Sequence, residues 1–305
     1  MKTYAAYYDN VVRKESSSGG MFSALASLFD VIYGVEMDAQ NKFAVYARKT
    51  DDISSLRGSK YLQARVGDTF KKVRKDVEDG RQVLFSGTAC QVNGLYSFLQ
   101  RDYANLFTVD VICHGVPTPK YWQKFIEGKE IEHINFRAKD GGWDHYTYGM
   151  RLNDDYIPFN KNHFMELYVK DYALRPSCYE CVCKQVKCSD MTLGDFWGIE
   201  NLDPTMTDNK GTNIVIVRSQ RGLEIFEELK KNLVWKAFSY EDGIRQNPSE
   251  YKSAVRPENR IQFFKDLETD NFTELFRKYC AKNKSGDLIA HKIRRIIKRI
   301  GGVQE

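Results

Sequence analysis

Four of the chain's seven cysteines fall within eleven residues, in the stretch CYECVCKQVKC at 178–188. The Cys178-x2-Cys181 pair presents two thiolates on a tight turn, a geometry that chelates zinc or iron. Cys183 and Cys188 complete a four-thiolate set locally. Alternatively, Cys178 and Cys181 join Cys90 and Cys113 and tie this segment to the rest of the domain. The Cys181-x-Cys183 spacing makes ligation by both awkward in a four-iron cube, which favours the second arrangement. Zinc stays open on spacing alone. An odd number of cysteines fits poorly with full disulfide pairing. The start lacks a signal-peptide pattern, and no stretch approaches the ~18 apolar residues of a membrane span, so the expectation is a cytoplasmic protein with reduced thiols.

Other residues with chemical potential lie upstream. Cys90, in SGTACQ, follows an apolar run and opens a helix-like pattern, where the helix dipole favours a thiolate. Cys113, in ICHGVP, ends the next apolar run, with His114 beside it as a candidate catalytic group. The bland alternative for both thiols is that of small buried hydrophobes. SSSGG (16–20) offers hydroxyls and unhindered backbone N–H groups for a phosphate, or a plain helix cap. LRGSKY (56–61) sets Arg57 and Lys60 about a glycine, suited to a pyrophosphate or a reduced, anionic ring, or simply to solvent. Arg137, in INFR, is a further candidate cofactor-binding cation. The five histidines show no metal-ligand spacing, and G-x-S-x-G and Walker patterns are absent.

These residues need a scaffold, and the patterning supplies one. With 42% hydrophobic and 29% charged residues, the composition is globular. TYAAYY (3–8), GVEMD, FAVYARK, RQVLFSG, LFTVDVICHGVP and TNIVIVRS read as strands. MFSALASLFDVI, GDTFKKVRKDVEDG, TACQVNGLYSFLQRD, TPKYWQKFIEG, HFMELYVKDYAL and RGLEIFEELKKN read as helices. The alternation predicts an α/β fold: a mixed, largely parallel sheet with flanking helices and a cysteine-bearing insertion. Cys90 and Cys113 then fall at the carboxyl ends of neighbouring strands, where open α/β sheets bind ligands. Residues 1–240 form the main unit, and 241–305 a helical C-terminal extension. Its tail, LIAHKIRRIIKRI (288–300), is basic and amphipathic, suited to a membrane surface, a partner subunit or docking on its own domain. The net charge of +5 does not suggest a nucleic-acid surface.

The ordered stretches SSSGGMFSALA, LRGSKYLQ, LFSGTACQVNGL, DVICHGVPTPKYW, INFRAKDGGW, CYEC and SDMTLGDFWGIE resemble the coenzyme F-420 hydrogenase/dehydrogenase beta-subunit family, whose members are iron–sulfur flavoproteins. They span roughly residues 3–220. The resemblance implies FAD and one 4Fe-4S cluster in one domain, passing electrons between a one-electron donor and a two-electron acceptor. It implies Cys90, Cys113, Cys178 and Cys181 as cluster ligands. Ser17, Ser18, Gly19 and Gly20 would face the FAD phosphates; Arg57, Gly58, Ser59 and Lys60 would line the rest, with Lys60 stabilising the reduced ring.

Two features depart from the pattern. No ferredoxin-like cysteine run precedes Tyr4, so a separate ferredoxin-like donor or subunit is expected. Cys183 stands where an aromatic residue is common. Deazaflavin coenzyme F-420 is a candidate small-molecule acceptor, and relatives occur near surface-polysaccharide genes. The rival from another class is a zinc-stapled accessory or scaffold protein of polysaccharide assembly.

Overall fold

A computed structural model of the chain describes residues 1–143 and 147–280. β1 (Lys2–Tyr7) runs into α1 (Asn10–Glu15), whose first N–H groups are accepted by the Asp9 carboxylate. The serine loop leads to α2 (Met21–Ala26), then the hairpin of β2 (Val31–Met37) and β3 (Ala44–Lys49). Next come α3 (Thr69–Glu78), β4 (Val83–Thr88), α4 (Ala89–Leu99), β5 (Leu106–Val111) and α5 (Pro119–Ile126). A small sheet of β6 (Ile134–Ala138), β7 (Gly149–Leu152) and β8 (Asp155–Pro158) precedes α6 (His163–Tyr168). The chain continues through β9 (Met191–Asp195), α7 (Ile199–Leu202), β10 (Asn213–Val217) and α8 (Gln220–Leu229). It closes with β11 (Val234–Phe238), α9 (Tyr240–Ile244), α10 (Arg260–Thr269) and α11 (Phe272–Tyr279).

The large sheet has the order β11-β1-β10-β9-β5-β4-β2-β3. Its middle strands β2, β4, β5 and β9 are parallel, and the outer pairings are antiparallel. The apolar runs of β4 and β5 carry no alternation because both faces are covered. Leu84 and Phe107 face the α2/α8 side, whereas Phe85 and Leu106 pack with Val73, Val92 and Leu95 of α3 and α4. α4 starts sharply because the Thr88 N–H donates to the Gln91 side chain at 2.9 Å.

The cysteine segment lies within residues 112–190: the chain leaves the end of β5 and returns as β9, its direct neighbour. Within this stretch, Tyr121, Trp122, Phe136 and Phe164 build an aromatic core that Phe263, Phe272 and Phe276 of α10 and α11 complete. Each such ring contributes about 1.5–3 kcal/mol on burial, so the C-terminal helices are anchored to the insertion.

Several elements depart from the sequence reading. MFSALASLFDVI does not stay helical: α2 stops at Ala26, and Val31 already belongs to β2, because those β-branched residues pair with β4. α1, β9, α7 and β11 are additional. β11 was hidden because VWKAF is an edge strand with little burial. The basic tail lies outside the described residues. Among those described, no helix is long and apolar enough to cross a membrane.

Candidate functional site

A cavity of about 590 Å³ opens at the carboxyl ends of β4 and β5, within the size range of small-molecule sites. Ser16–Ser18 and Arg57–Lys60 line one end; Cys90, Cys113 and His114 line the other.

The serine end is tightly braced. The Ser18 hydroxyl donates to the Thr212 carbonyl at 3.0 Å, and the Tyr8 N–H donates to the Gly19 carbonyl at 2.8 Å. A Cβ on Gly19 would sit 2.6 Å from the Ala6 oxygen and 2.8 Å from the Asn213 nitrogen, so only glycine fits against β1 and β10. Gly20 adopts φ +84° and turns the chain into α2, where the Asn213 side chain accepts the Met21 N–H at 3.2 Å. Behind the loop, the Lys139 ammonium donates to the carbonyls of Arg13, Ser18 and Lys210 at 2.6–2.7 Å. Desolvation lowers its pKa to about 7. The buried Arg13 guanidinium donates to the Gly211 carbonyl and forks onto Asp208.

The two short motifs meet: the Ser59 N–H donates to the Ser17 hydroxyl at 2.7 Å. Arg57 donates to the Ser23 hydroxyl at 3.1 Å and pairs with Glu15, while Gly58 faces open space. Lys60 donates to the carbonyls of Ser55 and Arg57 at 2.8 and 2.7 Å. Desolvation lowers its pKa to about 7, with the Glu36 charge opposing. Two of its three N–H groups therefore brace its own loop.

Arg137, 4% exposed, joins the cavity wall. One terminal nitrogen donates to Asp195 at 2.8 Å and to the Tyr61 hydroxyl at 3.2 Å. The guanidinium lies 3.9 Å from the centre of the Tyr148 ring, and Nε and Nη2 have no hydrogen-bond acceptor. Trp197 lines the same wall and stacks on Trp143 at 4.9 Å.

At the other end the thiols gather. Cys90 Sγ lies 3.1 Å from the Thr88 hydroxyl, and the Val116 N–H reaches Cys178 Sγ at 3.5 Å. Burial raises the Cys113 thiol to about 12, with Lys184 acting against it and Cys90 and Cys178 adding to it. Burial likewise raises Cys178, with Cys181 and Cys90 contributing, and raises Cys183 to about 12, again with Cys181 and Cys90. Five sulfurs from three segments are thus electrostatic neighbours, all free thiols. They suit a soft-metal centre by donor chemistry. Among the described residues, however, no group of three or more His, Cys, Asp or Glu side chains is arranged to hold a metal ion. Cys188 is exposed, and Cys280 packs into the aromatic core.

His114 is engaged at both ring nitrogens: Nε2 lies 2.5 Å from the Asp171 carboxylate and Nδ1 3.4 Å from the Ser249 hydroxyl. It pins the start of the insertion to the turn at 248–250, and proton exchange with a ligand would require one of these partners to yield.

Sequence reasoning missed several supports. Lys139, Arg13 and Asp195 are isolated charges whose partners are distant in sequence. Asn93 was findable: three residues after Cys90 on α4, it shares that face. It accepts the Cys188 N–H at 3.1 Å and donates to the Val186 carbonyl at 2.9 Å.

The cavity and its free thiols lie at the carboxyl edge of an open α/β sheet, the edge where proteins of this architecture bind ligands. The chain belongs to the coenzyme F420 hydrogenase/dehydrogenase beta-subunit family, whose C-terminal model matches residues 80–242, just over half its length. Among solved structures it is similar in fold to a chain of the F420-reducing NiFe hydrogenase complex from Methanosarcina barkeri, determined as a xenon derivative. The TM-score is 0.53 at 16% identity, covering 93% of this chain and 92% of that one. No curated protein matches the chain.

Proposed function

We propose that this protein is an iron–sulfur flavoprotein oxidoreductase passing electrons between a ferredoxin-like donor or subunit and a small-molecule two-electron acceptor. One observation carries the reading. Cys90 and Cys113 line the same cavity as Ser17, Arg57 and Ser59, and Cys178 is an electrostatic neighbour of both thiols. Bound there, FAD would handle electron pairs and a 4Fe-4S cluster single electrons.

Ser17, Ser18, Gly19, Gly20, Arg57, Gly58 and Ser59 would hold the dinucleotide, with the Ser17–Ser59 hydrogen bond fixing the two motifs at one spacing. Cys90, Cys113, Cys178 and Cys181 would hold the iron, Cys183 standing by as a buried neighbour. Lys60 offers one remaining N–H to a reduced ring. Arg137 offers a buried guanidinium with two donors unmatched. Deazaflavin is one candidate acceptor, and surface-polysaccharide synthesis a candidate setting. Reduced thiols suit a cytoplasmic location.

Anaerobic purification and iron–sulfide reconstitution test this, followed by cofactor extraction and visible spectra before and after dithionite. A brown protein that bleaches on reduction and releases FAD supports the proposal. A colourless protein containing zinc would replace it with the scaffold reading.

A further inference from the structure

Segment 178–188 begins with Cys178 and Tyr179 packed against the aromatic core, but its later part, 181–188, has little apolar surface with which to dock. Val182 and Val186 stand 74% and 60% exposed, and Cys183 is the buried member. Polar bonds must therefore place that later part. The Cys181 N–H donates to the Ser253 hydroxyl at 3.0 Å, and Asn93 grips Val186 and Cys188. Lys184 does more. Its ammonium donates to the carbonyls of both Cys113 and Ser249. It thereby joins the cysteine segment, the exit of β5 and the 248–250 turn at one atom.

The neighbouring Lys187 makes the contrast. Its ammonium is spent on the buried Glu250 carboxylate, which also pairs with Arg218. The partners of Lys184 are neutral carbonyls, so its charge is left to act on the Cys113 thiol, where it opposes the effect of burial. We infer that Lys184 is a positioning residue. It docks the cysteine segment against the end of β5 and supplies a fixed positive charge to the thiol set. The docking role stands on geometry alone; the charge role rests on the iron–sulfur reading above. A cation beside a cluster favours its more negative, reduced state, so its loss lowers the potential.

The test uses the full-length protein as wild type, Lys184→Met and Lys184→Arg. In apo protein, hydrogen–deuterium exchange over 178–190 should quicken on the order of tenfold in Lys184→Met, as expected for a lost hydrogen-bonded tether. Exchange in β1 and β10 should not change. In reconstituted protein, the cluster's midpoint potential should fall in Lys184→Met and return towards wild type in Lys184→Arg. Unchanged exchange overturns the docking role, and an unchanged potential overturns the charge role. If Lys184→Met fails to fold, Lys184→Gln carries both measurements. Wild-type protein that takes up no iron overturns the charge role together with the iron–sulfur reading, while the apo exchange still decides the docking role.

Discussion

The two ends of the cavity are built on different principles. At the serine end, a close-packed glycine, a fully buried arginine and a triply bonded lysine fix the loop before any ligand arrives. At the thiol end, a partly exposed segment is held by Cys178 and Tyr179 on the aromatic core and by scattered polar bonds, and burial pushes Cys113, Cys178 and Cys183 towards the neutral form. The first end is preorganised by packing. The second gathers thiols whose charged forms are costly to bury. A tightly braced loop thus sits beside a set of thiols that burial holds mostly neutral.

Substitutions at each end should separate the two. The largest effect is expected from Cys113→Ser. Reconstituted iron should fall on the order of tenfold or more, while extractable flavin stays at the wild-type level. Loss of both together would show that the ends are not independent.

Gly19→Ala should do the reverse. The added Cβ meets backbone at 2.6 and 2.8 Å, which neither strand can relieve cheaply. Urea unfolding should show a loss of about 1–3 kcal/mol, with flavin released and iron retained. An unchanged midpoint would mean that the loop is less constrained than its packing implies.

The lysines at the serine end give a pH signature. Lys60 and Lys139 have folded pKa values near 7, well below the ordinary 10.5. The unfolded chain therefore binds more protons between about pH 7 and 10.5, and stability rises with pH across that window. Cys113 acts oppositely but only above its ordinary value of 9.0, so pH 7–8.5 isolates the lysines. Lys60→Met should flatten part of that slope in urea midpoints; a slope identical to wild type would contradict the burial of its ammonium. The smallest effect should come from Val182→Ser. That side chain is 74% exposed, and its stability change should stay within about 0.5 kcal/mol; a larger loss would show that the cysteine segment packs more than its exposure indicates.

The sequence was most informative where local patterns and global packing agree. β4, α4 and β5 were legible because their apolar runs, the helical pattern between them and the turn after ICHGVP punctuate the same units. That placed Cys90 and Cys113 on one edge. MTLGD and VWKAF were not read as strands. The first is short and lacks alternation, and the second is an edge whose pairing with β1 is set by tertiary contacts. Likewise, Arg137 was readable as a cation, but its partners, Asp195, Tyr61 and Tyr148, come from separate segments that no local spacing connects. The engagement of His114 by Asp171 and Ser249 was hidden for the same reason.

The most direct test of the central claim is anomalous diffraction at the iron edge from crystals of the anaerobically reconstituted protein. The account predicts one compact iron peak, with Cys90, Cys113, Cys178 and Cys181 sulfurs at about 2.3 Å from its iron atoms, close to the usual metal–thiolate distance. A peak held by the 178–188 cysteines alone, or one appearing only at the zinc edge, would contradict it.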